Sequence, residues 1–102
     1  MIDKATEKRI IKSLRQINLM LFLERSNDET ACVMSLVENM PALEQEVIRK
    51  EYLITGAEYT RHYEIYKDMA IAEGTYTKIR MNALYKVGVG LGIIDSELKN
   101  GK

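Results

Sequence analysis

The stretch IYKDMAIAEGTYTKIRMNALYKVGVGLG, residues 65–92, decides how the rest of the chain is read. Its apolar positions follow helical spacing in two blocks separated by a corner. Ile65, Tyr66 and Met69 give the buried face of a short helix that starts near Thr60. Tyr76, Ile79, Ala83, Leu84 and Val87 stand at i, i+3, i+7, i+8 and i+11, one continuous stripe on a longer helix. Between them, Ala70-Ile71-Ala72 supplies a small residue where two helix ends approach and an apolar wedge for the space between the helices. That combination is what a helix-turn-helix requires.

The second helix of the pair is expected to start near Glu73. Its buried stripe leaves Glu73, Gly74, Thr75, Thr77, Lys78, Met81 and Asn82 facing outward in the amino-terminal half. In this motif that half meets base edges in the major groove of double-stranded DNA. Asn82 has the paired donor and acceptor that read adenine, Lys78 reaches guanine or phosphate, and Met81 can pack on a thymine methyl. Thr75 and Thr77 can bond bases or phosphates, and Gly74 permits close backbone approach. Arg80 and Lys86 are placed for phosphates, which position the protein without specifying sequence. Glu73 is dissonant: it would accept from a cytosine amine, cap the helix or repel phosphate. The same stripe also occurs in three-helix domains that bind no nucleic acid.

Toward the amino terminus the pattern stays helical. Asp3 can cap a helix over residues 4–25, whose apolar positions are Ile10, Ile11, Leu14, Ile17, Leu21 and Phe22, with Lys8, Lys12 and Arg15 on the other side. This basic amphipathic helix either packs its stripe on the rest of the fold and solvates its charges, or serves as a phosphate-contacting or partner-binding arm; its stripe could also pair two subunits. Ser26, Asn27 or Asp28 can cap a second helix carrying Val33, Leu36, Val37 and Met40. Pro41 ends that helix and opens a third, residues 42–53, with Leu43, Val47, Ile48 and Tyr52 buried and Glu44, Glu46, Arg49, Lys50 and Glu51 solvated. A turn follows at residues 54–57, where Gly56 is free to adopt positive φ. Gly88, Gly90 and Gly92 read as a loosened helix end with Gly92 as its stop, not as a phosphate loop, because such a loop follows a strand.

The 102 residues suffice for one domain. Net charge is zero but unevenly spread: residues 1–25 carry +3, residues 26–58 carry −5 and residues 59–86 carry +2. Zero net charge argues against an indiscriminate nucleic-acid binder. The apolar run at residues 19–23 is too short for a signal peptide or a membrane span, so a cytoplasmic protein is expected. Cys32, among Ala31, Val33 and Met34, reads as a buried structural thiol. The single His62 reads as a solvent-facing helix residue. No metal-ligand cluster or nucleophile with a base is present, so neither an enzyme nor a cofactor is expected.

MPALEQEVIRKEYL followed by IYKDMAIAEGTYTKIRMNALYKVGVGLGI resembles the ArpU family of phage transcriptional regulators, which are similar to RinA-type late-gene activators. Tyr52-Leu53, Ile65-Tyr66, Met69-Ala70-Ile71-Ala72, Thr75-Tyr76 and Ala83-Leu84 stand where that family's pattern has its marks. The same region is similar to region 4 of bacterial sigma factors, through Tyr76-Thr77-Lys78-Ile79 and Ala83-Leu84-Tyr85-Lys86. The chain departs from the pattern with Ala70 for glycine, Ala72 for a serine cap, and Glu73-Gly74 where sigma factors carry basic and polar readers.

The resemblance implies a phage or prophage DNA-binding regulator of late, packaging or lysis genes. The expected fold is all-α, a five-helix single domain with a sigma region 4-like helix-turn-helix over residues 40–94. A helical packing segment precedes it (residues 1–39, with possible homodimer contacts), and a polar tail follows (residues 95–102). The alternative is an interaction module that keeps this fold but binds RNA polymerase, a sigma factor or another regulator.

Overall fold

The computed structural model describes residues 2–25, 27–53 and 61–94. The expected turn at Gly56, the Ser26 cap, the helix start at Thr60 and the tail from residue 95 lie outside them. The described chain is all helical, in five helices: α1 (Lys4–Phe22), α2 (Asp28–Glu38), α3 (Ala42–Ile48, continued by a π-helical turn Arg49–Leu53), α4 (His62–Asp68) and α5 (Glu73–Gly90).

Each start and stop has a local cause. The Asp3 carboxylate accepts from the Thr6 N–H at 2.7 Å, and the Asn27 side chain from the Thr30 N–H at 2.7 Å. Pro41 occupies the cap position of α3, where its missing donor costs nothing. Helices α1, α4 and α5 end in the same backbone motif, in which the second residue beyond the cap donates to the carbonyl five residues back. The pairs are Arg25 N–H to Met20 at 2.9 Å, Ile71 N–H to Tyr66 at 3.1 Å and Ile93 N–H to Gly88 at 2.9 Å.

This motif needs one residue in the left-handed region. Gly92 (φ 76°) supplies it after α5, but Glu24 (φ 55°) and Ala70 (φ 58°) supply it after α1 and α4. A side chain in that region costs about 1–2 kcal/mol, partly offset by the extra freedom glycine has when unfolded. The variant Ala70→Gly is therefore expected to gain about 0.5–1 kcal/mol, a rise of a few degrees in Tm by thermal melting.

Two apolar clusters hold the helices. The larger joins Ile10, Leu14 and Ile17 of α1 to Val33 and Val37 of α2, Ile48 and Tyr52 of α3, and Ala83, Leu84 and Val87 of α5. The smaller takes one residue from each of three helices, Val47, Ile65 and Tyr76, with Ile71 and Ile79 packed against it. Ile71 thus fills the α4–α5 corner as a wedge. Gly88 belongs to the helix proper and is not a loosened end. A Cβ there would lie 2.7 Å from Ile94 Cδ1 and 2.8 Å from Ile10 Cδ1, so glycine lets α1 and α5 approach closely.

Several expected positions are corrected. Phe22 and Leu43 are exposed, because each points off the end or flank of its stripe. Cys32 is exposed, with its thiol directed at the Gly90 carbonyl 3.5 Å away. Glu44 and Glu51 are buried instead of solvated, for reasons given below. The α1 stripe of Ile10, Leu14 and Ile17 is consumed inside the subunit, so it is not a surface for a second copy. No helix among the described residues is long and apolar enough to cross a membrane.

Candidate nucleic-acid interface

The four-residue corner between α4 and α5 sets the direction of α5. Helix α4 opens with the Arg61 N–H donating to the Glu64 carboxylate at 3.1 Å. Helix α5 opens at Ala72, which has no side chain to accept from the first turn. Here Ala72→Ser is expected to add about 0.5–1 kcal/mol by capping α5, read as a higher urea midpoint at unchanged slope.

From that start, Glu73, Gly74, Thr75, Thr77, Lys78 and Asn82 are all exposed, and Met81 is half-buried. Gly74, Lys78, Asn82 and Tyr85 follow one another at helical spacing, which makes them the outward line of α5. Thr75 flanks this line on one side. Glu73 and Thr77 flank it on the other, and the Thr77 hydroxyl donates to the Glu73 carbonyl at 3.0 Å. A Cβ at Gly74 would meet nothing, so a flat surface can approach the backbone there.

Two of the nine sequence-assigned residues are elsewhere. Arg80 is buried at the meeting of three helices. Its Nε donates to Glu51 at 2.7 Å, one terminal nitrogen to the Tyr52 hydroxyl at 2.8 Å and the other to Glu7 at 3.1 Å. It falls one turn after Tyr76 and one turn before Leu84, inside the apolar stripe, so burial and ion pairing leave it no reach to a phosphate. Lys86 is partly exposed, but its ammonium donates to Glu44 at 2.7 Å. Lys78 is then the α5 cation without an ion-pair partner among the described residues.

Glu51 is the acceptor at the centre of this buried set. Besides Arg80 it accepts from the Tyr76 hydroxyl at 2.6 Å and pairs with His62 at the start of α4. Burial, and then the hydrogen bond to Glu51 and its charge, push the Tyr76 hydroxyl well above the ordinary tyrosine range; burial and Glu51 do the same to Tyr52. Burial works against the Arg80 charge, yet Glu51, Tyr52 and Glu7 together raise its pKa and hold it protonated. His62 is half-exposed, and its ring lies 5.6 Å from the Tyr76 ring, tilted by 50°. The network thus joins α1, α3, α4 and α5 behind the outward line of α5.

The sequence reading missed Glu7, Glu44, Glu51 and Tyr52 as partners. A signal was present. Glu44, Val47, Ile48, Glu51 and Tyr52 stand at i, i+3, i+4, i+7 and i+8, so two carboxylates lie on the apolar face of α3. A carboxylate and an arginine, each inside an apolar stripe, are the mark of a buried pair.

Comparison with protein-family models, curated proteins and solved structures gave no match.

Proposed function

We propose that the chain is a double-stranded DNA-binding transcriptional regulator of phage or prophage origin, acting on late, packaging or lysis genes in the bacterial cytoplasm. In this reading, α4 and α5 form a sigma region 4-like helix-turn-helix and α5 enters the major groove. One observation carries it. Helices α3, α4 and α5 share the Val47-Ile65-Tyr76 core across a four-residue corner, while Thr75, Lys78 and Asn82 remain exposed at the leading half of α5. The resemblance to the ArpU family supports the phage setting.

Asn82 and Lys78 are the residues for base edges, Thr75 and Thr77 for bases or phosphates, and the Gly74 backbone for close approach. The test is selection of binding sites from a random duplex library, followed by fluorescence anisotropy across a salt series. The expected result is an enriched sequence whose affinity falls with salt. Absence of salt-sensitive binding at micromolar protein would overturn the proposal.

A second reading has its own support. Internal pairing of Arg80 and Lys86 leaves Lys78 as the one α5 cation unpaired among the described residues, a modest charge for a DNA surface. A module of the same fold that docks on RNA polymerase, a sigma factor or another regulator would need no more. Exposed Leu43 and Tyr85 suit such a contact.

A further inference from the structure

The solvent side of α4 carries two residues whose polar ends meet. Lys67 stands one turn after Tyr63, and its ammonium donates to the Tyr63 hydroxyl at 3.0 Å while lying 5.0 Å from the centre of that ring. Both residues are exposed, Tyr63 by 56%. An ammonium has further N–H groups and a phenol has its O–H, so both can still donate at this one place. Among the described residues Lys67 has no ion-pair partner. The two acidic residues of α4 are engaged elsewhere: Glu64 accepts from the Arg61 N–H at 3.1 Å, and Asp68 pairs with Lys50 of α3.

The other contacts of α4 fix where this pair lies. Going round the helix, Asp68 faces α3, Ile65 faces the core, and Tyr66 faces α5, its ring 5.6 Å from that of Tyr76. Tyr63 comes next in the same sense, edge-on to Tyr66 with ring centres 5.8 Å apart, and Lys67 follows it. The pair is therefore on the flank of α4 away from α3 and beside the leading half of α5. Glu51 of α3 meets α5 at Tyr76 and Arg80, behind its outward line. The flank of α4 away from α3 thus shares the outward direction of α5.

That direction is short of positive charge. Glu73 and Lys78 cancel on the leading half of α5, and Arg80 and Lys86 are paired internally. Neutralising phosphates supplies much of the salt-dependent affinity for a duplex, and α5 has little with which to do it. We propose that Tyr63 and Lys67 form a seat for one backbone phosphate of the duplex whose major groove α5 occupies, a role that rests on that reading of α5. Lys67 brings the charge. The Tyr63 hydroxyl brings a second hydrogen bond, from a ring held edge-on by Tyr66. Such a contact sets the register of α5 on the duplex and carries no sequence information.

Fluorescence anisotropy on the selected duplex and a scrambled one, across a salt series, tests the seat, with circular dichroism confirming that each variant is folded. Lys67→Gln is expected to weaken binding to both duplexes by a similar factor, about three- to tenfold, and to lower the slope of log affinity against log salt by about one. Tyr63→Phe should weaken both by about two- to tenfold at unchanged slope, because the donor it removes is neutral. Replacing single phosphates of the selected duplex by uncharged methylphosphonate should find one position that weakens the wild type and leaves Lys67→Gln unaffected. If Lys67→Gln keeps wild-type affinity and slope on a duplex that the wild type binds, the seat is overturned and the role of α5 stands. A loss confined to the selected duplex also overturns it, since Lys67 would then read a base. A wild type without salt-sensitive binding to any duplex overturns both.

Discussion

Replacing Arg80 with alanine is expected to lower stability by about 3–5 kcal/mol, because it leaves the Glu51 carboxylate buried with its cation removed. The loss extends beyond one ion pair, since the Tyr52 hydroxyl and Glu7 lose their donor in the same step. A domain of this size has about 5–15 kcal/mol in total, so the variant should be largely unfolded at modest urea or on mild heating. Urea denaturation followed by circular dichroism measures it. A cycle with Glu51→Ala separates pairing from packing: with both groups absent, the loss should fall well short of the sum of the two single losses. Arg80→Lys should rescue poorly, since one ammonium cannot serve Glu51, Tyr52 and Glu7 from three directions. Equal, additive losses in the cycle would show that the pair contributes nothing specific.

Reversing the charge at Lys78 is the second large effect, and it falls on binding instead of folding. Lys78 is exposed and unpaired among the described residues, so Lys78→Glu should leave the melting temperature within about a degree or two. Affinity for a selected DNA site should fall by about tenfold to a hundredfold, the range of one specific contact exchanged for repulsion against phosphates. The salt dependence of the remaining binding should also become shallower. If the variant binds the selected duplex as wild type does, α5 is not the reading helix. In that case Leu43→Asp becomes the informative substitution, as it would disrupt docking on a protein partner through the exposed side of α3.

Much of the fold was legible because helical periodicity is a local property. The stripe Tyr76–Val87, the stop at Pro41, the cap at Asp3 and the wedge at Ile71 are each set by residues within a turn or two of one another. The misplaced residues share another cause. Arg80 and Glu51 are 29 positions apart, Arg80 and Glu7 are 73 apart, and nothing local announces that they meet. Treating every charge as solvated assigned Arg80 to phosphates and Glu51 to water, although both stood inside apolar stripes. At the candidate interface, Thr75, Lys78 and Asn82 were legible because the outward line of a helix follows from its inward one. The sequestering of Arg80 and Lys86 was not, because it depends on how α3 lies across α5.

The two glycines near the end of α5 bear on how such a gene could be exchanged between related genomes. Gly88 is shaped to Ile10 of α1, and Gly90 to Leu36 of α2, whose Cδ2 would lie 2.9 Å from an added Cβ. Arg80 adds a bond to Glu7 from the same helix α5. A recombination event that joined the first 39 residues of one lineage to the remainder of another would bring together surfaces that had not been fitted to each other. Crossovers near the junction of residues 39 and 40 should therefore be rare among survivors. Exchange of outward residues at 74, 75, 78 and 82 disturbs none of these contacts, so changes in partner preference can accumulate there one substitution at a time.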